Sequence, residues 1–108
     1  MEHRLGEFEQ LVLLALVRLG DEAYGVSVQR EIADRTGRVT SFATVYTTLA
    51  RLEAKGFVTA RLGEATPERG GRRKKYFALR AAGRRAVSAS LSALRTMTHG
   101  LDASWEAP

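Results

Sequence analysis

The apolar period of the chain changes once, at Phe57. Up to that point hydrophobic residues recur at helical spacing. Beyond it, "FVTARL" (57–62) and "KKYFAL" (74–79) alternate with a period of two and read as paired strands, with Phe77 and Leu79 on one face and Tyr76 on the other. The connection from Gly63 to about Arg73 is long for a hairpin and contains Pro67, Gly70 and Gly71. It ends in a cluster, Arg69, Arg72, Arg73, Lys74 and Lys75, that puts five cations among the seven residues 69 to 75. Such a chain has a helical first part closed by a hairpin whose tip is extended, glycine-rich and cationic.

The helical part divides into three. Leu5, Phe8, Val12, Ala15 and Leu19 share a helical stripe, and Leu11 and Leu14 add a second one beside it, so this helix is apolar on more than one face. A domain of this size covers one such face with its own core; a second subunit is expected on the other. Gly20-Asp21 ends the helix. The spacing predicts a second helix from about Gly25 to Thr36, with Val28 and Ile32 inward and Gly37 as its stop. Ser41 caps a third that ends near Lys55-Gly56, with Val45, Leu49 and Leu52 buried. Its other face carries Thr44, Thr47, Thr48 and Arg51, hydroxyls and a guanidinium without an acid. Solvated helices tend to carry mixed Glu and Lys pairs, whereas this set suits phosphate oxygens and base edges. After the hairpin, Val87, Leu91, Leu94, Thr98 and Leu101 are spaced 4-3-4-3, a short heptad-like seam on a fourth helix with Met97 beside it. The tail 102–108 reads as loosely ordered, and Trp105 as a contact on the helix end.

Charge narrows the partner. Residues 1–60 hold seven Lys/Arg against eight Asp/Glu, while 61–108 hold ten against four. The net +5 therefore lies in the second half, where it fits an anionic partner. There is no cysteine, which excludes disulfides and thiolate metal sites. The longest apolar run, residues 11–17, is far short of the roughly 20 residues that span a bilayer. Acidic residues precede that run where a signal peptide would be positive. A single cytoplasmic domain without membrane, metal or cofactor is the expectation. His3 and His99 stand apart without acidic partners, and no nucleotide loop is present, so no enzyme is expected.

Three helices followed by a hairpin with a basic loop make a winged helix-turn-helix, mainly α with a small antiparallel hairpin, in which the third helix enters the major groove and the loop meets phosphate or minor groove. The segments "LVLLAL", "AYGVSVQREI", "TVYTTLARLEAKGFV", "PERGGRRKKYFAL" and "AAGRRAV" resemble the PadR family of bacterial transcriptional regulators over nearly the whole chain. The most specific stretch runs from Val45 through Glu53 to Gly56. The resemblance implies a homodimeric repressor of a nearby transporter or detoxification gene, with a winged helix over 1–80, a dimerisation helix over 81–101 and a tail over 102–108. It also allows a small aromatic or drug-like effector at the dimer centre. Arg80 departs from the family pattern, which places a Thr there to cap the last helix.

The expected DNA-facing set is Tyr24, Ser41, Thr44, Thr47, Thr48 and Arg51, with Arg69, Arg72, Arg73, Lys74 and Lys75 on the wing. The expected dimer set is Leu5, Phe8 and Val12 on the first helix and Val87, Leu91, Leu94 and Leu101 on the last. Tyr24-Gly25 reads equally as a phosphate-binding helix start or a simple turn, and Tyr46 as a packing residue with a satisfied hydroxyl. A winged-helix module for protein or RNA contacts is the alternative function. The outer face of the third helix carries neither the acidic and apolar residues of the first nor the interleaved aromatics of the second. An anionic membrane surface suits the basic loop less well, since its cations lie on no amphipathic helix.

Overall fold

The computed structural model describes residues 4–64 and 73–107. Helix α1 (Glu7–Leu19) passes through a 3-10 turn (Gly20–Glu22) into α2 (Gly25–Thr36) and then α3 (Phe42–Ala54). Strands β1 (Val58–Leu62) and β2 (Lys75–Leu79) follow, then α4 (Ala81–Thr98) and a last 3-10 turn (Ala103–Trp105). Both middle helices and both strands lie where the periodicity puts them.

One side chain row from each element meets in the core: Val12, Leu13 and Leu16 of α1, Val28 and Ile32 of α2, Val45, Leu49 and Leu52 of α3, then Phe57, Val58, Phe77 and Val87. The hairpin is antiparallel, with Val58 opposite Leu79 and Arg61 opposite Tyr76. On its other side β2 bridges to Tyr24, and Phe77 N donates to Ala23 O at 2.8 Å. This bridge ties the start of α2 to the wing. It spans one residue and so leaves no period in the sequence.

Two corrections concern the apolar helices. Val12 and Val87, expected at a dimer contact, are buried in the chain's own core at 0% and 4% exposure. Leu5, just before α1, and Phe8, Leu11 and Leu14 on it are all half-buried against the core, and Leu11, Leu14 and the half-exposed Val17 also line an open apolar cavity of about 350 Å³ against Ile32 and Thr36 of α2. On α4 the seam runs off the end of the helix. Thr98 is its last residue, His99 caps it and Gly100 turns the chain at φ 85°, so Leu101 lies beyond the helix and 81–101 is not one continuous helix.

The missing cap at Arg80 does not displace the start of α4. Arg80 makes no side-chain cap bond, but its N–H donates to Phe57 O at 3.0 Å. Gly83 sits over the same carbonyl, where a Cβ would come within 2.2 Å of the oxygen. Tertiary contact with Phe57, the residue before β1, thus starts the helix where local capping does not.

A second tie links α1 to α3. The Glu9 carboxylate, 7% exposed, accepts from Gly6 N at 2.8 Å and from Lys55 Nζ at 2.8 Å. Burial pushes its pKa up, but the Lys55 ammonium and the Gly6 N–H outweigh that and hold it below the ordinary value of 4.5. A depressed folded pKa gives stability that is present above the unfolded value and is lost as pH falls through the folded one. Glu9→Gln should therefore lower stability by about 1–3 kcal/mol at neutral pH. The gap from the parent should close in acid. Denaturant melts of both proteins at pH 7 and pH 3 check this; a gap that persists undiminished at pH 3 would refute it.

Candidate nucleic-acid interface

The turn between α2 and α3 presents the third helix. Gly37 ends α2 in the left-handed region, φ 75° and ψ 0°, and donates to Ala33 O at 2.9 Å, a conformation that glycine adopts without a Cβ clash. Gln29 Nε2 holds the turn by donating to Thr40 O at 2.7 Å. Ser41 then caps α3 as expected, its hydroxyl accepting from Thr44 N at 3.1 Å. Phe42 folds back over Gly25, where a Cβ would lie 2.4 Å from the ring. The absence of a side chain at Gly25 thus sets how closely α2 and α3 approach.

The polar residues expected on α3 separate into two groups. Ser41 Oγ and Thr44 Oγ1 hydrogen-bond each other at 2.9 Å. Thr48 is a correction: at 5% exposure it is buried, and its hydroxyl donates to Thr44 O at 2.8 Å, which withdraws it from any outer face. Thr47 and Arg51 are exposed and hydrogen-bond nothing among the described residues. With Ala43 and Thr44 they border a shallow concavity of about 270 Å³ on the outside of the helix.

Aromatic rings fill the angle between α3 and the wing. Tyr46 packs against Phe42 (centroids 5.8 Å apart) and edge-on to Phe77 (6.4 Å). It is a packing residue that remains 39% exposed, and its hydroxyl makes no hydrogen bond among the described residues. Tyr24 meets Tyr76 edge-on at 5.5 Å. The cations at the wing base lie over these rings: Lys74 Nζ 4.3 Å from the Tyr24 centroid, Arg61 4.6 Å from Tyr76, and Lys75 5.8 Å from Tyr46. Lys75 also lies 3.8 Å from Glu53. Each contact of this kind at an exposed site contributes about 0.5–1 kcal/mol.

The wing cations are consequently not equivalent. Lys74 and Lys75 are half-buried and turned toward the aromatic cluster, Arg73 is exposed, and Arg69 and Arg72 lie outside the described residues. Tyr24 is the N-cap of α2 without a side-chain cap bond; Ser27 Oγ accepts its backbone N–H instead, at 2.9 Å. The bridge between the start of α2 and β2 brings Tyr24 and Lys74 together, and Tyr46 packed on Phe77 joins α3 to the wing, while Thr47 and Arg51 lie on the outer surface of α3 and Arg73 is exposed just before β2. The aromatic cluster and Arg61 escaped the sequence reading because their partners are far apart in the chain. The one local signal was the alternation around Tyr76. The tail forms a short 3-10 turn capped by Asp102, and Trp105 within it is 56% exposed.

No helix among the described residues is long and apolar enough to cross a membrane, and no group of three or more candidate metal ligands occurs among them. The family described as transcriptional regulator PadR-like matches residues 13–89. Among solved structures, a PadR family transcription regulator from Clostridium difficile superposes with a TM-score of 0.71 at 22% identity, over 86% of this chain and 92% of that one. A transcriptional regulator from Clostridium thermocellum gives 0.72 at 22%, over 91% and 89%. Bacillus subtilis PadR, solved in complex with operator DNA, gives 0.67 at 21%, over 78% of this chain and 47% of that one. None of the curated proteins matches the chain.

Proposed function

The chain belongs to the PadR-like family of transcriptional regulators, a family of regulators and not of enzymes, and from that premise we propose that it is a dimeric repressor of a neighbouring gene. In this reading α3 enters the major groove of an operator, the wing lies along the adjacent backbone, and residues 1–80 form the DNA-binding unit. The C-terminal helix then carries dimerisation, and the protein works in the cytoplasm. The observation that carries the proposal is an exposed, acid-poor α3 face, with Arg51 in no ion pair among the described residues, on a helix that packs through Tyr46 and Phe77 against a cationic wing. A groove-reading helix and a phosphate-reading loop are the two contacts such a fold makes with DNA.

The test is a titration of the full chain with duplex from its own upstream region against random duplex, repeated at several salt concentrations. A preference of about 10³-fold or more is expected for one upstream site, with affinity falling steeply as salt rises. Equal affinity for all duplexes, or none for any, would overturn the reading in favour of a protein- or RNA-contact module. An aromatic effector remains part of the proposal only as an occupant of the dimer centre, checked by loss of operator binding on its addition.

A further inference from the structure

Three of the four α3 side chains that point most directly away from the core are alanines. Val45, Thr48, Leu49 and Leu52 form the buried row. At about 3.6 residues per turn the row opposite is Ala43, Thr47, Ala50 and Ala54, and all four are exposed. Tyr46 and, beyond it, Phe42 lie to one side of this row, 39% and 46% exposed, and Arg51 and Thr44 border it on the other. Because Ser41, Thr44 and Thr48 hydrogen-bond within the helix, the remaining outward chemistry is methyl groups, the Phe42 and Tyr46 rings with the Tyr46 hydroxyl, the Thr47 hydroxyl and the Arg51 guanidinium.

That inventory restricts which base edges α3 can read. Adenine is read by the paired donor and acceptor of Asn or Gln, and the helix "FATVYTTLARLEA" contains neither. Cytosine is read by a carboxylate; the one on this helix, Glu53, lies 3.8 Å from Lys75. What alanine methyls and a phenyl ring complement in the major groove is the thymine C5 methyl. A row of alanines also lets the helix backbone approach the groove floor closely.

Resting on the operator-binding reading above, we infer that α3 reads its half-site chiefly through thymine methyl groups packed against Ala43, Ala50 and Phe42, while Arg51 fixes a single guanine. A·T pairs are then recognised from the thymine side, and strand polarity follows from which strand carries the methyl.

Replacing thymine by uracil removes the methyl and leaves every hydrogen-bonding edge in place. A preferred duplex is first selected from a random pool by the full chain, and each thymine of its half-site is then replaced in turn. Uracil is expected to weaken binding about fourfold at two or more positions, the effect of losing one buried methyl. In Ala50→Gly, with its helix content checked by circular dichroism, one of those positions should become insensitive to the replacement, as a shared contact requires. Uracil duplexes that bind as tightly as thymine duplexes while the selected sequence is still preferred would overturn the inference and leave operator binding standing. If no sequence is enriched at all, the operator reading fails first and takes this inference with it.

Discussion

Leu94→Glu is expected to give a folded monomer that has lost its operator. Every residue from Ser92 to Gly100 is exposed, with Leu94 at 57% and Met97 at 76%. The last two turns of α4 therefore bury no residue in their own chain, where Ala93 and Leu94 only border an open groove with Leu5 and Gln10, and a helix segment with so little tertiary packing is only marginally stable in water. The first turns are different, since Gly83 and Val87 are buried against the rest of the fold. A second uncovered apolar surface exists on α1, where Leu11, Leu14 and Val17 line the cavity beside α2. Two exposed apolar surfaces on so small a chain are what a second copy would cover. Glu at 94 would place a charge in that contact without disturbing the core, to which Leu94 does not contribute. Losing the link between two half-sites should weaken operator binding by about 10²–10⁴-fold. Sedimentation, circular dichroism and a DNA titration on the same sample check this. A parent protein that already sediments as a folded monomer at micromolar concentration would sink it.

Much of this molecule was legible before any coordinates. The bounds of α2 and α3, the Ser41 cap, the Gly37 stop and the two strands follow from local signals of period, capping and turn chemistry, and tertiary packing did not override them. Val12 was placed at a dimer contact, and is buried instead, for a physical reason. A helix that is apolar nearly all round does not announce which side meets its own core, and that choice is made by where α2, α3 and α4 dock. Leu101 failed because heptad spacing continues through residues that no longer form a helix; Gly100, at positive φ, had already turned the chain. Thr48 failed because a threonine hydroxyl inside a helix has a carbonyl acceptor one turn back, so it looks polar in sequence and is satisfied in the fold. Ala43 and Ala50 were passed over because an alanine carries no chemical signal until its exposure is known.

Arg51→Ala and Arg73→Ala should fail in different ways, and the contrast separates reading from holding. Both side chains are exposed and neither forms an ion pair among the described residues, so neither substitution should disturb the fold. Arg51 projects from the last turn of α3, beside the concavity lined by Ala43, Thr44 and Thr47. A guanidinium there can make the bidentate contact to guanine O6 and N7, which is worth about 1–3 kcal/mol of discrimination. Its loss should reduce operator affinity by that amount and leave affinity for random duplex nearly unchanged. Arg73 stands at the mouth of the wing, where its charge meets phosphates of any sequence. Its loss should weaken operator and random duplex alike, and flatten the logarithmic salt dependence by about 0.9 for the one phosphate contact removed. Lys74 is the internal comparison. Its ammonium lies 4.3 Å from the Tyr24 ring centroid in the free protein, so turning toward phosphate would give up that contact, and Lys74→Ala should change the salt slope less than Arg73→Ala does. Titrations of the three variants on operator and random duplex over a range of salt decide the matter. If Arg51→Ala weakens both duplexes equally, Arg51 belongs to the phosphates and α3 has no charged base reader.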